Sequence, residues 1–176
     1  MIFTETKLKG AYIIEVEPKA DSRGFFTRAW CQDEFIAQGL NPTVVQVNLG
    51  FSHRQGTLRG MHYQTAPWAE VKVVRCTLGA IYDVIIDLRS DSSTHRQWIG
   101  LELSQDNHKM LYVPEGFAHG YVTLTDNAEM CYQTSQFFSR EYANGVRYND
   151  PAFDIRWPLE IQVISEQDKN WLDYTF

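Results

Sequence analysis

With 176 residues, 44% of them hydrophobic and 22% charged, the chain suits a single domain with a substantial core, and disordered or fibrous classes are excluded. The 16 Lys+Arg against 22 Asp+Glu leave a net charge of −6. That excludes a general nucleic-acid binder, whose phosphate contacts demand clustered cations, while permitting a small anion held by a few local ones.

The N-terminal run MIFTETKLKGAYIIEVEP alternates apolar and charged residues and has no signal-peptide core, and no apolar run approaches the roughly 18 residues of a membrane span. In chain order, the pattern predicts strands at Ala11–Glu17, Thr43–Leu49, Thr57–Gln64, Glu70–Leu78, Ala80–Asp87, Trp98–Leu103, Met110–Val113, Gly120–Thr125, Ala128–Phe137 and Val146–Tyr148. Gly79 predicts a tight turn between the fourth and fifth of these. A helix is expected at Gln32–Gln38, with Asp33 and Glu34 in its first turn and Gly39 as its stop, and a short one after Ser165. Frequent short strands, a 14% aromatic content and no internal repeat or linker predict one all-β domain, a sandwich or barrel with minor helix. The 3 cysteines cannot form an even disulfide set, and a reduced, cytoplasmic setting is expected.

Two segments concentrate reactive side chains, Gly56–Gln64 (GTLRGMHYQ) and Val113–Tyr121 (VPEGFAHGY). Each sets a histidine, His62 or His119, near glycine and aromatic residues at a strand end, from which alternate side chains point inward. A lone histidine of this kind is more often a satisfied core residue; two in similar contexts shift the balance. The spacings resemble halves of the cupin barrel motifs. Metal-binding cupins usually carry a second histidine two residues after the first, but here Gln64 stands there and Glu70 falls too far along. A three-histidine, one-carboxylate metal site is therefore not expected, although a two-ligand site borrowing Asp168 stays open. Without a metal or cofactor, such a pocket must work by side-chain acid–base chemistry.

A more specific resemblance runs in order from about Lys9 to Asp168. It is carried by DSRGFFTR (Asp21–Arg28), QVN (Gln46–Asn48), TLRGMHYQ, VKVVRCTLGAIYDVIIDLR (Val71–Arg89), VPEGFAHGY, YNDPAFDIRWP (Tyr148–Pro158) and ISEQD (Ile164–Asp168). Together these resemble the dTDP-4-dehydrorhamnose 3,5-epimerase family. The resemblance implies a cupin-type jelly roll with a few short helices, residues 1–176 forming one domain. It implies a homodimer in which the N-terminal strands, about residues 1–18, pair with the partner's sheet. It further implies a metal-free, cofactor-free enzyme that epimerises a nucleotide-diphosphate-linked 4-keto-6-deoxy sugar in deoxysugar and cell-surface polysaccharide biosynthesis. The matching positions make His62 the base, Asp168 its orienting carboxylate, Tyr132 the acid on the opposite face and Lys72 the cation near the ketone. Arg23, Phe26, Arg28, Gln46, Asn48, Arg59 and His119 match residues lining the substrate.

Chemistry supports these roles. A C–H beside a ketone is acidic because its anion delocalises onto the carbonyl oxygen, where a cation such as Lys72 stabilises the charge as it develops. A neutral histidine accepts the proton, and a carboxylate on its other nitrogen fixes the tautomer. Inversion needs a second group on the other face, and a protonated tyrosine can donate there. Arg23 and Arg59 suit a diphosphate through charge-assisted bonds. Each residue also has an ordinary reading: Lys72, between Val71 and Val73, fits the polar face of a half-solvated strand, Tyr132 fits packing, Arg59 a surface strand end, and Asp168 a helix N-terminal charge.

Three positions depart from the family. Arg28 stands where a glutamate is common, Ala143 replaces another substrate-side glutamate, and Gln167 replaces a lysine before Asp168. All lie outside the acid–base set, so epimerisation with altered recognition is expected. Thymidine is the first expectation for the nucleotide, CDP- and GDP-linked sugars are alternatives, and inversion at C3, C5 or both stays open. Competing readings are a metal-dependent cupin isomerase or oxygenase, a keto-sugar isomerase, and a non-catalytic sugar-binding jelly roll.

Overall fold

Two facing sheets form the framework of the chain, whose residues 1–175 are described in a computed structural model. The first sheet has the order β1 (Ile2–Glu5), β2 (Tyr12–Glu15), β10 (Met110–Val113), β7 (Lys72–Leu78), β12 (Ala128–Thr134), β5 (Gln46–Ser52). The second runs β13 (Ala143–Gly145), β6 (Thr57–Gln64), β11 (Phe117–Thr123), β8 (Ala80–Asp87), β9 (Trp98–Ser104), with β14 (Val163–Ile164) lying parallel to β6. A separate hairpin pairs β3 (Lys19–Asp21) with β4 (Gly24–Phe26). The result is the expected all-β, jelly-roll-like sandwich with two short helices, α1 (Gln32–Ala37) and α2 (Glu166–Lys169).

The Gly79 turn exists, with φ at +69°, but it does not close a hairpin. β7 and β8 belong to different sheets, so the turn carries the chain across the sandwich. The strand expected at Val146–Tyr148 is displaced to Ala143–Gly145. Val146 still exchanges backbone bonds with Met61, at 2.9 and 3.3 Å, whereas the Tyr148 carbonyl is taken by the Trp157 indole. Strands β1, β3, β4 and β14 lie outside the expected set; they are two to four residues long, too short to show a period.

The inner faces pack Val74, Leu111, Val113 and Met130 of the first sheet against Ile81, Ile85, Leu103 and Phe117 of the second. Both outer faces are also covered. Phe35 of α1 seals Ile14, Val71, Val73 and Met110, and Phe153 seals Met61, Val84, Ile86 and Ala118. Burial on both sides explains why β10 and β11 are continuously buried rather than alternating. At the N-terminus, β1 pairs with β2 and β2 with β10 of the same chain, leaving the outer edge of β1 open. Among the described residues no helix is long and apolar enough to cross a membrane, and Cys31, Cys76 and Cys131 are unbonded.

Candidate active site

A cavity of about 1030 Å³ takes its walls from both sheets. On the first sheet, strand register sets the wall: Gln46, Thr134 and Lys72 form one row across β5, β12 and β7, and Asn48, Tyr132 and Val74 form the next. Side chains two apart share a face, so Gln46, Asn48, Tyr132 and Lys72 all line the cavity. Along β7 the inward positions change from Cys76 and Val74, both core, to Lys72. Lys72 is 9% exposed and faces the cavity rather than solvent, its Nζ 3.2 Å from Glu70 Oε1.

The second wall is built around His62 and His119, register partners on β6 and β11. Arg59 lies three residues before His62, so strict alternation would put them on opposite faces. The register slips by one between His119 and Tyr121, which pair with His62 and Arg59. This bulge lets both Arg59 and His62 reach the cavity. It depends on Gly60, at φ +133°, whose backbone runs so close to Gly120 that a Cβ would clash with it. The Gly60 N–H donates to Asp168 Oδ2 at 3.2 Å.

Asp168 arrives from the C-terminal end. Ser165 caps α2, its hydroxyl accepting from the Asp168 N–H at 3.0 Å, and the Asp168 carboxylate turns into the wall, where Oδ1 meets His62 Nε2 at 2.6 Å. The helix N-terminal charge and the histidine partner are thus the same residue. Burial pushes this carboxyl up, but the hydrogen bond and charge of His62, the Gly60 N–H and Ser165 outweigh it and hold the group below its usual range. An ionised Asp168 keeps the imidazole proton on Nε2 and leaves Nδ1 as the base position. Across the cavity, burial first and the negative charge of Glu70 second push the Tyr132 phenol up, keeping it protonated as a donor.

His119 lines the cavity but is 6% exposed, and its Nε2 is 2.8 Å from Asp83 Oδ2. Arg59 also lines it, with Nε held by Ser52 Oγ at 3.3 Å and Nη2 by the Phe51 carbonyl at 3.0 Å, neutral acceptors that leave its charge for a ligand. Gln46 spends its side-chain oxygen on the Phe138 N–H at 2.8 Å. Ala143 and Gln167 both line the cavity.

Arg23, Phe26 and Arg28 do not come to this cavity. They sit on or just after the β3–β4 hairpin; Arg23 pairs with Asp21 at 2.6 Å, Arg28 with Glu34 at 3.1 Å, and Phe26 is 77% exposed. A chain segment containing RGFF protrudes from its own molecule because nothing in its own sheets pairs with it.

Tyr121, Arg140 and Trp171 also line the cavity, and sequence reasoning passed over them; Glu70 lines it too and was weighed only as a metal ligand. Asp83 carried a signal that was readable: an acid inside the apolar strand AIYDVIID requires a buried partner. Glu70 stands two before Lys72, just ahead of β7, which is also a readable pairing. Among the described residues, no three His, Cys, Asp or Glu side chains gather as a metal-ligand set, and His62 and His119 each commit a ring nitrogen to an aspartate.

Comparison with known proteins follows the same outline. The family model described as dTDP-4-dehydrorhamnose 3,5-epimerase matches residues 5–175. The enzyme of that name from Methanothermobacter thermautotrophicus is 41% identical over 172 residues, 96% of this chain and 92% of the relative. The crystal structure of the Elizabethkingia anophelis protein of that name superposes with a TM-score of 0.96 at 37% identity, covering 99% of this chain and 96% of the other. The Bacillus anthracis structure, with TDP and PPi bound, gives 0.95 at 38% identity, covering 98% and 99%.

Proposed function

The chain belongs to the dTDP-4-dehydrorhamnose 3,5-epimerase family, and on that premise we propose that it inverts C3 and C5 of dTDP-4-dehydro-6-deoxy-D-glucose. It is a carbohydrate epimerase of deoxysugar biosynthesis. One observation carries the mechanism: His62, held by Asp168 of α2, stands on one sheet and Tyr132 with Lys72 on the other, with the cavity between them.

His62 Nδ1 removes the proton next to the ketone, and Asp168 stabilises the imidazolium that forms. Lys72 meets the enolate oxygen; Glu70 beside it holds the ammonium in place until substrate arrives. Tyr132 returns a proton from the opposite wall, so the new C–H forms on the other face. Arg59 takes the diphosphate, and Gln46 and Asn48 border the substrate on the first sheet.

The exposed hairpin fits a homodimer. Phe25 and Phe26 are 53% and 77% exposed, and Val47, Leu49 and Phe51 leave an apolar stripe on the outer face of β5. Arg23, Phe26 and Arg28 reach substrate only in the cavity of a second copy, since their own is out of reach. Three unbonded cysteines suit a reducing cytoplasm.

Incubating the protein in heavy water with dTDP-, CDP- and GDP-linked 4-keto-6-deoxy sugars, and following deuterium by NMR, tests substrate and carbon together. Uptake at both C3 and C5 of the dTDP sugar is expected. Uptake at one carbon alone restricts the reaction to that carbon, and no uptake with any sugar removes the assignment. In Tyr132→Phe, abstraction by His62 persists while net inversion falls more steeply, because only the donor is gone.

A further inference from the structure

Beyond Asp168 the chain returns to the cavity once more. Trp171 lines it and stands edge-to-face with His62, ring centroids 6.3 Å apart and planes at 71°. Its seat is Gly145, the register partner of His62 on the neighbouring strand β13. A Cβ at residue 145 would overlap the indole atoms Cε2, Nε1 and Cδ2. The sheet therefore supplies no cross-strand side chain beside His62, and a ring from the C-terminal segment fills that place.

The segment is pinned on both sides of Trp171. Before it, the Ser165 cap and the His62–Asp168 bond hold α2. After it, Arg147 pairs with Asp173, the Tyr174 N–H donates to Asp150, and the Tyr174 ring packs on Phe153 at 5.3 Å. The indole Nε1 is shielded from solvent and has no hydrogen-bond partner among the described residues, so the ring acts through its shape.

His62 needs such a neighbour. Its side chain is 43% exposed, and a single hydrogen bond to Asp168 fixes the position of Nε2 but not the plane of the ring, which is free to swing about that contact. We propose that Trp171 is a positioning residue for the epimerase reaction: lodged over Gly145, it fixes the plane of His62 so that Nδ1 stays aimed at the carbon acid while Nε2 stays on Asp168. This rests on the reading of His62 as the base.

Three variants test it. Trp171→Ala removes the ring, Trp171→Phe keeps a smaller one, and Gly145→Ala leaves the tryptophan but forces it off its seat. Misplacement of a reacting group costs roughly 10- to 100-fold in rate, so kcat falls by that amount in Trp171→Ala and Gly145→Ala while KM stays within about threefold. Trp171→Phe recovers most of the loss. A Trp171→Ala enzyme with wild-type kcat, a rise in KM that accounts for the whole loss, or a Phe variant no better than Ala overturns the proposal. A second readout needs no turnover: the ¹³C relaxation spectrum of the His62 ring in the free, folded protein. The wild type and Trp171→Phe show a rigid ring, and Trp171→Ala shows a ring that swings about its Nε2 contact; a ring equally rigid in Trp171→Ala counts against the proposal. If the wild type processes no keto sugar, the reaction assignment fails, and the ring spectrum still decides the positioning.

Discussion

Two His–Asp pairs have their histidines on adjoining strands of one sheet. His62 and His119 are register partners, and their Nε2 atoms lie 2.6 and 2.8 Å from Asp168 and Asp83. His119 and Asp83 have side chains only 7% and 0% exposed, and both are strand residues. His62 is 43% exposed, and its aspartate comes from a helical turn 106 residues further along the chain. On the function proposed above, the same two groups serve as a strut where both are enclosed and as a base where one side of the imidazole opens onto a cavity. Composition of the pair does not set its role; access does.

The largest effect separates the two histidines. His62→Asn should lose deuterium exchange by about 10³-fold or more, in the range of a removed general base. His119→Asn should keep far more of it, and equal losses would erase the distinction between base and strut. Next, the two aspartates divide between rate and stability. Asp168→Asn leaves an uncharged partner for His62 and should lower kcat by roughly 10²- to 10⁴-fold. Asp83→Ala strips a buried hydrogen-bond partner from His119 and should cost about 2–3 kcal/mol in urea unfolding, with the activity of the folded fraction much less affected.

A smaller effect concerns pH. Asp87 is buried, which pushes its carboxyl up, but bonds from Arg89, Ser92 and Thr94 prevail and bring it down to about 2. A carboxyl lowered in the folded state contributes stability above its unfolded value of about 3.9 and loses it as pH falls toward the folded value. Between about pH 4 and pH 2 the wild type should therefore lose on the order of 2 kcal/mol that Asp87→Asn does not lose, read from urea midpoints across that range. Asp168 shifts in the same direction, so the dyad stays ionised on its carboxylate side throughout neutral pH.

The smallest effect on the folded chain belongs to Arg28. Its bond to Glu34 is exposed and should contribute little to stability. A severalfold rise in KM in Arg28→Ala, with stability unchanged, would place this side chain in the cavity of a second copy; an unchanged KM would leave it as an ornament of its own surface.

How far the sequence could be read depended on the range of the forces involved. Alternation exposed β5, whose inward and outward neighbours differ. The apolar run Met110–Val113 was legible as β10 although it is buried on both faces, β11 was legible only from Gly120 onward, and β1, β3, β4 and β14, two to four residues long, offered no period to count. At Gly79 local chemistry announced a turn, but whether the next strand stays in the sheet or crosses the sandwich depends on contacts the turn does not contain. Lys72 illustrates the same limit: its place between valines was visible, whereas its cavity-facing burial beside Glu70 required both sheets to be present.

By itself, the sequence determined the all-β class and the family and singled out His62, Asp168, Tyr132 and Lys72 as candidates, since strand periodicity, turn chemistry and an ordered set of motifs are properties of the chain read in one dimension. Only the tertiary structure decided that Arg59 shares a face with His62 through a one-residue bulge, that Arg23, Phe26 and Arg28 lie outside the cavity, and that Trp171 occupies the empty place over Gly145. These depend on register and close packing between segments up to a hundred residues apart, and such contacts come into being only when the sheets close on one another.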